Sequence, residues 1–195
     1  MMKFSKIIEE IKQKKLYFII ALLIFVADTV SKYFIDKYLQ ETIVKRVIGD
    51  ILIFIYTRNY GVSFGFLNNV PESIQHIIPE LLKVVVFLAM IVVAYIMLSI
   101  NVKKQKLSMI GFTMVLGGAM GNLVDRIMRG YVTDFISMGF NETIRFPYNY
   151  NIADASITIG ICIIAIGVFF FKEDFDKNKK IEDNKATIEN NKENN

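Results

Sequence analysis

The chain has 195 residues, of which 53% are apolar and 22% charged, with a formal net charge of +4, and its mean hydropathy is +0.40. That is too apolar for an ordinary water-soluble domain of this length. A single Cys, Cys162, excludes an intrachain disulfide framework and a Cys-rich metal site, and a single His, His76, excludes every motif that needs two imidazoles, zincins included. The basic residues sit beside apolar runs and form no stripe among aromatics, so the charge reads as membrane orientation and no nucleic-acid partner is expected.

Four stretches, residues 16–35, 77–100, 107–124 and 154–171, approach the ~20 apolar residues a helix needs to cross a hydrocarbon core. Each is short, so its ends lie near the headgroups, where polar chemistry is tolerated. Residues 3–15, 101–106 and 172–195 carry 14 Lys or Arg in 43 positions, whereas 36–76 and 125–154 carry 7 in 71. Both termini are therefore expected on the cytoplasmic side. The first span follows Lys12, Lys14 and Lys15 as a secretory signal would, but VADTVSKYF has no small-residue cleavage site, so a retained span is expected. No Cys lies near it, and the chain is not expected to be a lipid-anchored precursor itself.

After the first span, ETIVKRVI and ILIFIYT read as two short strands around a turn at Gly49 and Asp50, forming a small sheet on the outer membrane surface. Residues 130–150, with Pro147 among them, read as an outer loop. From Lys172 onward Lys, Glu, Asp and Asn dominate, which predicts disorder. The expectation is an all-α membrane protein: four transmembrane helices and a small outer-surface β-sheet in one domain over 1–171, then a disordered cytoplasmic tail over 172–195. No internal repeat is visible.

Acidic residues at the span ends carry the functional signal. Asp28 lies in the second half of the outward-running first span, Asp125 closes the third, Asp154 opens the fourth, and Asp134 falls in the loop between them. All four share one boundary, and an ionisable group at a span end is expensive in apolar surroundings and so is a functional candidate. Plainer readings exist singly: Asp154 as a helix cap, Asp125 as the ion-pair partner of adjacent Arg126. Asn122 stands three residues before Asp125 and Asn151 three before Asp154, so each shares a helical face with its carboxylate; Asn59 and Gly61 follow the outer strand. Lys32, four residues after Asp28, is placed to pair with it. Gly117 and Gly121 form a small-xxx-small pair suited to helix packing.

Other signatures are weaker. Residues 61–65, GVSFG, match a nucleophile elbow with His76 downstream, but a short outer loop lacks the strand-to-helix turn that motif requires. Ser31 and Lys32 are adjacent on a helix and point in different directions, and Cys162 lies deep in an apolar span, where a thiol is inert. A small proton-coupled transporter is the alternative from another class, although it would need an acid near the midplane and paired repeats. A non-catalytic assembly factor has only the charged tail in its favour.

Four blocks, ADTVSK (27–32), RNYGVSFGFL (58–67), GGAMGNLVDRIMRGYVTDFI (117–136) and FPYNYNIADASITIG (146–160), resemble in order and spacing those of the lipoprotein signal peptidases, the signal peptidase II family. The resemblance covers roughly residues 16–171. It implies an aspartic endopeptidase of the bacterial inner membrane that cuts diacylglyceryl-modified prolipoproteins before the lipidated Cys, near the outer face, without metal or cofactor. Its partners would be lipidated prolipoprotein and membrane lipid, and a monomer is expected. Position by position, it makes Asp134 and Asp154 the catalytic pair, Asp28 and Lys32 the first-span polar pair, and Asn59 and Gly61 the outer-loop residues. Asn122, Asp125, Arg126 and Asn151 would support the site or contact substrate. Thr29 stands where a Gln is usual and Tyr60 where a small residue is common. One extra residue before the final block leaves Asn149 and Asn151 both near one matching place.

Overall fold

The computed structural model describes residues 4–39, 43–61, 77–102, 105–141 and 143–170. The expected tail from Lys172 and the Ser63 and His76 pair lie outside them. Four helices, α1 (Phe4–Tyr38), α2 (Ile77–Ser99), α3 (Lys106–Arg129) and α4 (Ile152–Phe170), are each long and apolar enough to cross a membrane, α1 over Lys14–Tyr38. This is a multi-pass membrane protein with a three-stranded sheet at one end of the bundle.

Helix α3 is the hub, with 56% of its most apolar stretch buried against 6% for α2, which faces outward almost all round. No charge interrupts residues 107–124, and small residues let the neighbours come close on both sides. A Cβ built on Gly117 would stand 2.6 Å from the Ala21 carbonyl oxygen of α1, and one on Gly118 2.5 Å from the Ala153 carbonyl oxygen of α4. Farther along, Gly111 and Gly160 face each other across α3 and α4. The small-xxx-small pair thus packs α1 on α3, and Gly118 and Gly111 do the same for α4. Helix α3 ends in a left-handed Gly130 (φ 79°) whose N–H returns to the Arg126 carbonyl, with Arg126 and Arg129 in the last turn where cations suit the helix dipole. At the far end of the bundle, fully buried Lys14 donates to the Leu98 carbonyl of α2 at 2.6 Å. An ammonium there satisfies a helix C-terminal carbonyl.

The sheet is antiparallel, in the order β1 (Val44–Ile48), β2 (Leu52–Asn59), β3 (Val132–Met138). The turn falls at Gly49 and Asp50, where a φ of 50° suits glycine and Ile51 N–H closes onto the Ile48 carbonyl at 3.0 Å. β3 corrects the sequence reading, which left residues 130–150 as loop. Its first four residues are all buried, so it lacks the alternation that betrays a half-buried strand, and it carries an aspartate, a residue that strands disfavour. The chain then doubles back so that Tyr150 bonds reciprocally with Ile136, at 2.7 and 3.0 Å. Arg145 closes that excursion by donating to the Asp50 and Ser137 carbonyls. Ile35 and Leu39 from the end of the first helix segment pack with Tyr56 and Phe135 under the sheet. The start of α4 is thereby held beside β3.

The tightest of these contacts predicts its own test. A Cβ on Gly121 would collide with the Asp28 carboxylate. Gly121→Ala should destabilise the protein by about 1–3 kcal/mol, as overpacked sites do, seen as a lower thermal midpoint in detergent; an unchanged midpoint would mean that room exists there.

Candidate active site

Asp134 lies in β3 opposite Thr57, and Asp154 is the third residue of α4. Both are buried. Asp134 accepts from Asn59 Nδ2 through Oδ2 at 2.9 Å and from Asn151 Nδ2 through Oδ1 at 2.7 Å. Asp154 Oδ1 accepts from Asn122 Nδ2 at 2.9 Å, and Asn151 Nδ2 also approaches Asn122 Oδ1 at 3.2 Å. Two side-chain amides therefore link one carboxylate to the other. Asn151 can do this because it caps α4, its Oδ1 accepting from Asp154 N–H at 2.8 Å. The cap expected at Asp154 is thus Asn151, and the Asp154 carboxylate is left to face the pair. Asn149 goes elsewhere, donating to Thr57 Oγ1 at 2.6 Å, so Asn151 is the asparagine of the cluster.

A charged layer lies beside the amides. Buried Lys32 Nζ is 2.7 Å from Asp28 Oδ2, 3.3 Å from Asp125 Oδ2 and 2.9 Å from Asn122 Oδ1. The other oxygen of Asp28 accepts from Ala153 N–H at 2.8 Å, which ties α1 to the first turn of α4. Asp125 accepts from Thr133 N–H at 2.9 Å and pairs with Arg129 at 3.5 Å. The neighbour pairing of Asp125 with Arg126 is not what forms: Arg126 donates to the Gly61 carbonyl at 2.8 Å and reaches the Asn122 carbonyl at 3.4 Å. Successive helical residues diverge by about 100°, which aims the two side chains apart. Gly61 N–H in turn donates to Asn59 Oδ1 at 3.0 Å.

All ten residues singled out from the sequence meet in this network. Three that were not singled out belong to it. Thr133 anchors Asp125 and accepts from Arg129 at 3.1 Å, Ala153 holds Asp28, and Arg129 steadies both Asp125 and Asp36. Only Arg129 had a signal, its spacing of four from Asp125. Beyond the cluster, the Tyr56 and Tyr131 hydroxyls meet at 3.0 Å with Arg58 over both rings. Cys162, on α4, is exposed.

Burial, and then the neighbouring Asp154 charge, push Asp134 up to about 7, against the opposing pull of Asn59, Lys32 and Asn151. Tyr56 is pushed up to about 12 by burial and its bond to Tyr131, so it stays protonated at neutral pH. Among the described residues no three His, Cys, Asp or Glu side chains converge as a metal ion would need. A carboxyl raised that far can hold or release a proton near neutrality, the range a general acid or base needs.

Spanning helices with buried carboxylates at one end are the build of a membrane-embedded aspartic peptidase. The family described as Signal peptidase (SPase) II matches residues 20–170. Proteins named lipoprotein signal peptidase are similar along most of the chain. The one from Francisella tularensis subsp. novicida is 32% identical over 164 residues, 84% of this chain and 97% of its own. The one from Brevibacillus brevis is 34% identical over 154 residues, 78% of this chain and 94% of its own. Two solved structures described as bacterial membrane enzymes share the fold. One has a TM-score of 0.69 at 24% identity, covering 82% of this chain and 91% of its own; the other has 0.64 at 26%, covering 79% and 92%. The chain belongs to the signal peptidase II family.

A raised carboxyl also makes stability depend on pH. Asp134 binds its proton more tightly folded than at the ordinary value of 3.8. Its contribution is fully present below that value and is lost as pH rises through about 7. Thermal unfolding in detergent should therefore show stability falling between pH 5 and 7, with a shallower fall in Asp134→Asn. Equal slopes in the two proteins would contradict the shift.

Proposed function

We propose that this protein cleaves diacylglyceryl-modified bacterial prolipoproteins before the lipidated Cys, with Asp134 and Asp154 acting on one water. The observation that carries the reading is the amide-linked burial of these two carboxylates. The similar proteins named lipoprotein signal peptidase support the substrate class. Neighbouring buried carboxylates cannot both ionise cheaply, so the pair shares a proton. The ionised partner takes a proton from the water as it attacks, and the protonated partner polarises the scissile carbonyl and later protonates the leaving amine. No covalent intermediate, metal or cofactor enters this scheme.

Arg126, already donating to a main-chain carbonyl at Gly61, is suited to bind a peptide carbonyl or the developing oxyanion, worth about 3 kcal/mol in comparable sites. The bias of Lys and Arg supports cytoplasmic termini and a site near the outer face. There the signal helix enters sideways among the spans. Acyl chains in the lipid, at about 0.8 kcal/mol per buried CH₂, set its depth. A proton-coupled transporter fits less well, because Asp125 lies in the last turns of α3 and Asp154 in the first turn of α4, away from a midplane.

In cells lacking their own enzyme, Asp134→Asn or Asp154→Asn should insert normally and let diacylated prolipoprotein accumulate, with cleavage down about 10²-fold or more. Processing at the wild-type rate by either variant would exclude the dyad. Asp125→Asn should keep residual activity at lower stability, and a chelator should leave the rate unchanged.

A further inference from the structure

An asparagine amide is nearly symmetric in shape, so what decides whether its oxygen or its nitrogen faces a neighbour is the chemistry of its partners. Three amide nitrogens face the aspartate pair. Two are fixed by main-chain N–H groups, which can only donate: Gly61 N–H holds Asn59 Oδ1 and Asp154 N–H holds Asn151 Oδ1. Among the described residues no main-chain N–H does this for Asn122. Its Oδ1 is held by Lys32 Nζ at 2.9 Å, with Asn151 Nδ2 farther off at 3.2 Å.

We infer that Lys32 is a positioning residue of the peptidase, holding the Asn122 amide in the one orientation that presents its NH₂ to Asp154. This rests on the proposed roles of Asp134 and Asp154. An ammonium has three protons and no acceptor, and Lys32 has three oxygens around it, from Asp28, Asp125 and Asn122. The carboxylates of Asp28 and Asp125 draw the ammonium in from α1 and α3 as ion-pair partners, and its hydrogen bond falls on the Asn122 amide oxygen. Without it the Asn122 oxygen keeps only the longer contact from Asn151 Nδ2, and the amide is held less firmly against the turned orientation, in which its oxygen meets the Asp154 carboxylate acceptor against acceptor. The charged groups around Asn122 are Lys32, Asp154 and, at its main-chain carbonyl, Arg126. Lys32 alone among them holds its side-chain oxygen.

The test is a double-mutant cycle on cleavage of a lipidated prolipoprotein, with Lys32→Met, Asn122→Ala and the pair together. Each single change should lower kcat about tenfold or more with KM nearly unchanged, and the double variant should fall within about threefold of the worse single. Losses that multiply, a wild-type kcat in Lys32→Met, or a rise in KM alone would overturn the inference. Removing the ammonium strands two buried carboxylates. If Lys32→Met does not fold, the same cycle in the Asp28→Asn background decides, because Asn still accepts from Ala153 and leaves less charge uncompensated. Asp134→Asn is assayed alongside. Wild-type cleavage by that variant defeats the peptidase mechanism itself, whereas multiplied losses with an inactive Asp134→Asn defeat only the role of Lys32.

Discussion

Repulsion between two buried carboxylates is the constraint from which the rest of this structure follows. Full charges about 4 Å apart at a protein-like dielectric repel by about 4 kcal/mol, more than the roughly 1.5–3 kcal/mol of a hydrogen bond to a charged group. Direct salt bridges would relieve that repulsion by fixing both groups as anions, and an acid would be lost. Neutral amides of Asn59, Asn122 and Asn151 donate to Asp134 and Asp154 and orient them, and in the proposed mechanism this leaves the pair able to share a proton. The ammonium of Lys32 is kept one bond away, behind Asn122.

Holding that arrangement explains features that look purely architectural. Helix α3 gives up side-chain bulk at Gly117, Gly118 and Gly121 so that α1 and α4 can close on it, bringing Asp28 and Lys32 from one side and Asp154 from the other. The sheet supplies the remaining members: Asn59 from the end of β2 and Asp134 from β3, with Tyr150 laid against Ile136 just before the Asn151 cap. Five elements contribute to the cluster, and side-chain bonds to main-chain N–H groups of Thr133, Ala153 and Asp154 help fix their relative positions. The local fold and the site are held by the same bonds.

The helices were legible because hydropathy runs and the ordering of Lys and Arg report directly on lipid and on the positive-inside bias. The polar cluster was legible too, since Asp28, Asp125 and Asp154 break apolar spans where charge is expensive and Asn122 and Asn151 precede carboxylates by three residues. What the sequence hid depends on distance in the fold. β3 has no alternation because both its faces are covered, and the cap at Asn151 competes with a plausible one at Asp154. Arg126 finds Gly61, 65 residues away, in place of its neighbour. Thr133 and Ala153 hold Asp125 and Asp28 through main-chain N–H groups, which every residue but proline possesses, so no side-chain pattern could mark those two bonds.

The most direct measurement is an infrared titration of the protonated carboxyl band in the wild-type protein and in Asp154→Asn. If the two carboxylates compete for one proton, the wild type shows a band that titrates near neutrality, and in Asp154→Asn the band from Asp134 moves to lower pH because the neighbouring charge is gone. A band that titrates at the same pH in both proteins would mean that the carboxylates do not sense each other, and the account would fall.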